Sequence, residues 1–590
     1  MRIRALLATV VSLALFALGA SSADAAKTTK TVPTGTIAEA PVPVPASEIP
    51  PAGRHLSADR VLTIAEALPK MRAVRREYPG SYGGAYFKGP LRWQVSFFSA
   101  KGAKEIGQAI VADSSGRVLE QWTGFQVAWT MARGYPGAFG EHVNALYVWL
   151  PLCLLFFIPF FDWRRPFSLL HLDLLVLLSF SVSLAFFNHA HIYASVPLTY
   201  PPLLYLLARM LSLLRRGPGA RRSRGQTAGS PAGGPLPGGP PPARGSSARP
   251  LRLLVPVPWL ALGVVSLLGF RIALNVTDAN VIDVGYAGVI GAGKIVHGGA
   301  GGALYGHWPA ENEHGDTYGP VNYEAYVPFE QIFGWSGTWD DLPAAHAASV
   351  FFDLLAVALL FLIGRRMRGP TLGIVLAYAW VSFPFTLFAL ESDANDTLVA
   401  VAILAALYFA GSPPARGAFA ALAGLTKFAP LALVPLLATH GLRGRDGWVG
   451  RRALRSRALA LFLLVFLAVA ALVSIPALTH DSPNTIFQRT LVYQANRGSP
   501  FSAWGLYGLP GPQLVVQLAA LALAVALAVI PRRDDLVGLA AACAAVIIAV
   551  QLGVDHWFYL YIPWFFGLVM VAFLGSAVPV GTCADRRVGA

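Results

Sequence analysis

The sequence predicts an all-α polytopic membrane protein of about eleven or twelve transmembrane helices, with a small exported α+β domain at its N-terminus. Three observations predict it. The 590 residues are 55% hydrophobic and only 13% charged, with mean hydropathy +0.54, where a soluble chain carries roughly a quarter charged residues. The apolar excess is gathered into many stretches of about twenty residues, the length that crosses roughly 30 Å of hydrocarbon. The net charge of +15 falls in arginine pairs between those stretches: Arg164-Arg165, Arg215-Arg216, Arg365-Arg366, Arg451-Arg452, Arg532-Arg533 and Arg586-Arg587. That is the positive-inside pattern. Aromatics interleaved with a basic face are absent, which argues against nucleic acid as a partner.

Residues 1–26 read as a signal sequence. Arg2 and Arg4 precede the apolar run Ala5–Ala20, and Ala23-Asp24-Ala25 offers a small-residue cleavage site. Residues 27–57, rich in Pro, Thr and Ala, read as a tether. Residues 58–138 read as the exported α+β domain. Val61–Tyr78 has helical spacing, and Trp93–Phe98, Gln108–Asp113 and Val118–Thr123 are β-rich, with a turn at Ala112–Gly116. Its three cysteines leave the exported segment empty: Cys153 and Cys543 lie in apolar spans and Cys583 in the tail. No disulfide framework and no metal-binding spacing are indicated.

A three-helix membrane block follows at 143–214, with spans near 143–161, 168–187 and 197–214. Residues 215–250 are rich in Arg, Gly, Pro and Ser, a disordered cytoplasmic linker whose arginines suit anionic membrane lipids. The main membrane domain, 251–578, has spans near 253–273, 346–364, 371–390, 396–411, 458–476, 512–531, 534–554 and 557–576, and residues 579–590 form a cytoplasmic tail. The stretch 416–440 has basic flanks at Arg416, Arg443 and Arg445 and two prolines, Pro430 and Pro435. Alternation of the arginine loops is kept if this stretch is a re-entrant hairpin that starts and ends inside.

Polar residues then concentrate on the outer side, where they mark function. The largest outer loop, from Asn275 to about His346, holds Asp278, Asp283, Glu311, Glu313, Asp316, Glu324, Asp340 and Asp341 beside Tyr286, Tyr305, Trp308, Tyr318, Tyr323, Tyr326, Trp335 and Trp339. Carboxylates beside aromatic rings suit carbohydrate; an interfacial aromatic belt explains the same composition. A short turn, Glu391-Ser392-Asp393-Ala394-Asn395-Asp396, crowds three carboxylates. A divalent cation or a cationic partner would relieve their repulsion; a solvated, N-capped turn is the plainer reading. No other cofactor is indicated. In the third outer loop Arg489, Gln494 and Arg497 stand out, because arginines outside break the charge rule and suit a phosphate. A salt bridge to an acidic loop is the alternative. Lys427, inside 416–440, reads most simply as snorkelling to the cytoplasmic surface, with a headgroup phosphate as the other possibility.

These pieces carry a resemblance. Asp283-Val284-Gly285-Tyr286, the Glu391–Asp396 turn, Gly424–Pro430 with its lysine, Arg489–Ser502 and Asp555-His556-Trp557-Phe558-Tyr559 make the region from about 253 similar to the GT-C superfamily. It looks most like the polyprenol-phosphate-mannose-dependent α-mannosyltransferases, glycosyltransferase family 87. The N-terminal domain weakly resembles a PepSY-type module. The resemblance implies a polyprenyl-phosphate sugar as donor, a glycan or glycolipid acceptor, and a catalytic carboxylate in the first outer loop, Asp283 or Asp278. It implies substrate contacts from Tyr286, Glu391, Asp393, Asp396, Lys427, Arg489, Gln494, Arg497 and His556. A flippase for a lipid-linked precursor would instead show internal repeats and charges within broken helices, and a non-catalytic sensor would use the exported domain as receiver.

Overall fold

In a computed structural model the described residues are 42–87, 91–100, 105–123, 141–188, 192–215, 250–279, 281–298, 302–309, 312, 314–337, 342–442, 449–450, 455–496, 499, 501–530, 533–576 and 578–579. The stretches expected as signal sequence, linker and tail lie wholly or mostly outside them. So do Arg497, Cys583 and four of the loop carboxylates, Glu311, Glu313, Asp340 and Asp341.

The small N-terminal domain is an antiparallel meander, β1 (Val42–Val44), β2 (Tyr82–Phe87), β3 (Arg92–Phe98), β4 (Glu105–Ala112) and β5 (Val118–Thr123), in that order. Two helices, α1 (Ala58–Glu66) and α2 (Pro69–Glu77), cover one face. Trp93, Val95 and Phe97 alternate inward from β3 and meet Val61, Met71 and Val74. The expected single helix over 61–78 is two, because Leu68 is extended before Pro69 at the second N-terminus. The last part of the expected tether also departs from expectation: Val42–Val44 pairs with β2. β2 is missed in the sequence because Gly83 and Gly84 interrupt it. A Cβ on Gly83 would sit 2.9 Å from Leu62 Cδ2 and 3.0 Å from Phe97 Cε1, so the strand runs close under those side chains.

Asp113 pins the β4–β5 turn. It is buried, and it accepts hydrogen bonds from Trp93 Nε1 at 2.8 Å, from the His55 amide at 3.1 Å and from the Leu56 amide at 3.3 Å. Desolvation alone would raise its pKa; these donors outweigh it and hold the carboxyl below its ordinary 3.8. A lowered folded-state value stabilises at pH above the unfolded value and loses that effect as pH falls through the folded one. The β3–β5 amides are therefore expected to lose hydrogen-exchange protection below about pH 4. In Asp113→Ala that loss is expected already at neutral pH. Protection unchanged by the substitution would reject Asp113 as the pin.

The rest is a helical bundle. Among the described residues five helices are long and apolar enough to cross a membrane: Leu169–Asn188, Val257–Asp278, Pro343–Arg368, Arg457–Leu478 and Pro510–Val529. A sixth candidate is a bent pair, Pro370–Ser382 and Pro384–Glu391, at 59°. Pro384 lacks the amide that would continue the first helix, and Phe383 before it is extended. Several stretches expected as full spans are shorter. Asp396–Tyr408 has 13 residues, about 20 Å at 1.5 Å each, and Leu536–Leu552 and Ile562–Gly575 are also under 18 residues. Val257–Asp278, Arg457–Leu478 and Pro510–Val529 leave most of their apolar surface uncovered, for example Trp259 65%, Leu464 63% and Val515 65% exposed. Water does not suit such faces and a bilayer does.

Helices Leu146–Phe157, Leu169–Asn188 and Tyr200–Arg215 share one core with the C-terminal helices. Tyr559 joins the two through Ser183 at 2.6 Å and Ser195 at 2.8 Å. Helices 343–368 and 370–382 touch backbone to backbone, since a Cβ on Gly364 would lie 2.6 Å from Gly373 N.

The 416–440 stretch does turn back. Pro413–Thr426 is a helix, Lys427 is extended, and Ala429–Leu433 and Val434–Thr439 return. Buried Arg416 closes the base of this hairpin, bonding Leu437 O at 3.0 Å and His440 O at 3.2 Å and reaching Ala410 O. Arg366 bonds Tyr408 O at 2.6 Å, so arginines and the hairpin's base share one end of the bundle. The hairpin's tip and the 391–396 turn share the other.

Candidate functional site

The 391–396 turn joins helices 384–391 and 396–408. Expected as a polar surface turn, it is interior: Glu391, Ser392, Asp393, Asn395 and Asp396 are all buried. Its cover is the helix Asp283–His297. Ile282 N bonds Ser392 O at 3.2 Å. Gly285 lets the helix approach, because a Cβ there would stand 2.3 Å from Asp393 O. This is the physical role of the glycine in Asp283-Val284-Gly285-Tyr286. Asp283 itself begins that helix, and its carbonyl accepts from Asn312 Nδ2 at 2.7 Å.

The three carboxylates of the turn are each handled separately. Asp393 has a left-handed backbone, φ 47°, costly for a non-glycine residue. Its Oδ1 accepts from Asn275 Nδ2 at 3.0 Å, and its Oδ2 lies 3.1 Å from His346 Nδ1. Burial pushes its pKa up to about 6, against the pull of His346, Asn275 and Ser349. Asp396 accepts from Lys427 Nζ at 2.7 Å and from Trp564 Nε1 at 2.8 Å. Glu391 has no hydrogen bond on either carboxylate oxygen among the described residues.

Lys427 corrects an expectation. Its side chain is 10% exposed, enclosed at the hairpin's tip and not reaching out to a surface. Beyond Asp396 it is enclosed by the rings of Tyr561 at 5.2 Å, Trp564 at 5.4 Å and Tyr318 at 5.5 Å, a cation–π box. The tip is clamped by the segment before 320. Gly319 N bonds Thr426 O at 3.3 Å, and a Cβ on Gly319 would fall 1.9 Å from Leu425 O. Asn395 Nδ2 donates to Asn322 Oδ1.

The region expected as a large outer loop is a folded layer. Tyr286, Tyr305, Tyr323 and Tyr326 are buried in one cluster, so these rings are core and do not form a carbohydrate-facing surface. Tyr286, expected to touch substrate, packs edge-on to Trp335 at 6.0 Å. Asp316 accepts from the Gly306 amide at 2.7 Å and pairs with Arg489 Nε at 2.8 Å. Burial raises the Asp316 pKa against the pull of that amide and of Arg489. Burial also lifts Glu324 to about 7. Asp481 accepts from the Leu304 and Tyr305 amides at 2.8 and 3.2 Å, and Lys294 donates to Ala303 O and Gly306 O at 2.8 and 3.1 Å. Arg489, expected to grip phosphate, thus makes the alternative salt bridge.

Asp283, the acidic turn and Lys427 are brought together, with Asp316 and Arg489 on the flanking segment. Asp278 is directed elsewhere, to His142, whose amide it accepts at 3.2 Å. Gln494 is exposed on the short helix Tyr493–Asn496. His556 Nδ1 bonds Ser499 Oγ at 2.8 Å. Among the described residues no three His, Cys, Asp or Glu side chains could hold a metal ion; the turn does not fit the divalent cation expected of it, and a lysine takes that place at Asp396. Asn275, His346, Asn322 and Trp564 are functional candidates the sequence reading passed over. Each is a single polar or aromatic residue beside an apolar stretch, with no local signal.

No family model, curated protein or solved structure matches the chain.

Proposed function

We propose that the chain is an integral membrane glycosyltransferase that moves a sugar, of mannose type, from a polyprenyl-phosphate donor to a cell-envelope acceptor. It is read as a multi-pass plasma-membrane protein whose site faces outward, with the N-terminal domain extracytoplasmic and the C-terminus cytoplasmic. In this reading the shorter and bent helices count with the long ones, giving about eleven crossings plus the hairpin. One observation carries the proposal. The helix begun by Asp283, the turn 391–396 and Lys427 converge at one end of the bundle, opposite the arginine-rich end. Convergent titratable groups at an end next to uncovered apolar helices suit a substrate that is half lipid and half sugar.

In the mechanism the lipid lies in the bilayer and the sugar reaches the polar end. Asp283 accepts the proton of the acceptor hydroxyl as its oxygen attacks the anomeric carbon. The bond from that carbon to the lipid phosphate breaks, and the phosphate leaves with the electron pair. The acidic turn itself is buried and faces Lys427 and His346, so it ties the protein's helices together and does not hold phosphate.

The purified protein, incubated with labelled polyprenyl-phosphate sugars and an envelope acceptor mixture, is expected to transfer label. Asp283→Asn is expected to lower the rate by about 10²–10⁴-fold with expression unchanged. Undiminished transfer by the variant removes Asp283 from the role of base. No transfer by the wild type from any such donor removes the reading itself.

A further inference from the structure

Asn275 fixes a tautomer. Its Nδ2 lies 3.0 Å from Leu390 O and 3.0 Å from Asp393 Oδ1. Both atoms only accept, so the amide nitrogen must stand between them and the amide oxygen must point the other way. That oxygen is 3.2 Å from His346 Nδ1, and Asp393 Oδ2 is 3.1 Å from the same nitrogen. His346 Nδ1 thus faces two acceptors and no donor, so it carries the hydrogen. In the neutral ring Nε2 then keeps its lone pair. Among the described residues nothing bonds Nε2, and the side chain is 20% exposed while Asp393 and Asn275 are fully buried.

The surroundings match. His346 stands in the first turn of helix 343–368, over the turn that helix 283–297 covers. The buried groups there with unspent hydrogen-bonding capacity are mostly acceptors: Glu391 Oε1 and Oε2, Asp393 Oδ2, Asn395 Oδ1 and Asp396 Oδ2, against one pure donor, Asn322 Nδ2, and the Ser349 and Tyr326 hydroxyls, which can do either. An acceptor-rich end fits a ligand that brings hydroxyl groups. Asp393 also holds a backbone conformation that L side chains rarely adopt, so this arrangement is maintained against local preference.

We propose that His346 Nε2 is a fixed hydrogen-bond acceptor that reads a hydroxyl of the bound sugar, its tautomer held by Asp393 and Asn275. The identity of the ligand as a sugar rests on the transferase reading above. His346 is a binding residue that sets specificity, and Asp393 is a positioning residue acting through it.

The test uses the full chain in detergent with labelled polyprenyl-phosphate sugar and acceptor. His346→Leu removes the acceptor and is expected to raise KM for the donor roughly tenfold, with kcat within about twofold. His346→Gln restores an acceptor and is expected to recover most of that loss. Asp393→Asn can donate to Nδ1 and so turns Nε2 into a donor; it is expected to behave like His346→Leu although the histidine is present. Equal KM for wild type and all three variants overturns the proposal. A second arm needs no activity. In ¹⁵N-histidine-labelled protein, the resonances lost in His346→Gln are expected to be those of an Nδ1-protonated neutral ring, and an Nε2-protonated ring overturns the proposal. A wild type that uses no donor overturns the sugar as ligand, and the ¹⁵N arm then still decides the tautomer.

Discussion

Asp353→Ala is expected to cost roughly 3–5 kcal/mol of stability, because it leaves a buried guanidinium without its counter-charge. Arg271 and Asp353 sit inside the bundle, on helices 257–278 and 343–368, and both are buried. Their pairing is bidentate, Nε to Oδ2 at 3.0 Å and Nη2 to Oδ1 at 2.6 Å. Trp380 Nε1 adds a hydrogen bond to Asp353 Oδ1 at 2.7 Å, and Arg271 Nη1 reaches Thr386 Oγ1 at 3.3 Å and Val381 O at 3.4 Å. Four helical segments thus meet on one ion pair, next to the bend at Pro384. With the carboxylate gone, Arg271 keeps only the weak contacts to Thr386 and Val381. The pair itself need not stabilise the fold against an apolar alternative, since desolvating both charges offsets much of their attraction. Arg271→Met with Asp353→Leu is therefore expected to recover most of the loss. Thermal unfolding of wild type, Arg271→Met, Asp353→Leu and the double variant in detergent closes the cycle. A single variant within about 1 kcal/mol of wild type would show that the pair is hydrated or dispensable.

What the sequence made legible follows from which forces act locally. Apolar stretches, arginine pairs and the prolines of 416–440 signal through composition, and the hairpin is read from basic flanks on both sides of Pro430 and Pro435. Pro384 was equally visible, yet a residue count over 371–390 cannot tell a straight span from two helices at 59°. The site was legible in half. Asp283, Asp396 and Lys427 stand out because charge is rare in an apolar chain. Their partners do not. Asp393 is held by Asn275 and His346, 118 and 47 positions upstream, and Lys427 finds its carboxylate 31 positions away. Nor does sequence separate a core tyrosine from a sugar-stacking one. Tyr323 and Tyr326 are core because Gly291 and Gly288 leave room for their rings against helix 283–297. Arg489 stands out by its charge, but only the fold pairs it with Asp316.

Lys427→Met is expected to remove transfer and to destabilise the fold by a similar roughly 3–5 kcal/mol, and the two effects are separable. Asp396 is fully buried; without Lys427 its Oδ1 keeps only the Trp564 hydrogen bond, and its Oδ2 has none among the described residues. The ion pair also fastens the hairpin's tip to the start of helix 396–408, while Gly319 and Asn322 pack on the same junction. Losing the charge loosens the tip where the Asp283 helix and the acidic turn converge. Removing both charges with Lys427→Met and Asp396→Leu is expected to bring the thermal midpoint back toward wild type, as for Arg271 and Asp353. Transfer is not expected to return, because the polar end has lost both its carboxylate and its cation. The aromatic box of Tyr318, Tyr561 and Trp564 gives a further control. In Lys427→Ala a small primary alkylamine can re-enter the box and pair with Asp396, restoring part of the midpoint and part of the rate. If the double variant transfers sugar as well as wild type, Lys427 and Asp396 are a structural clasp alone. If Lys427→Met is as stable and as active as wild type, the convergence of the hairpin tip on the acidic turn has no bearing on what the protein does.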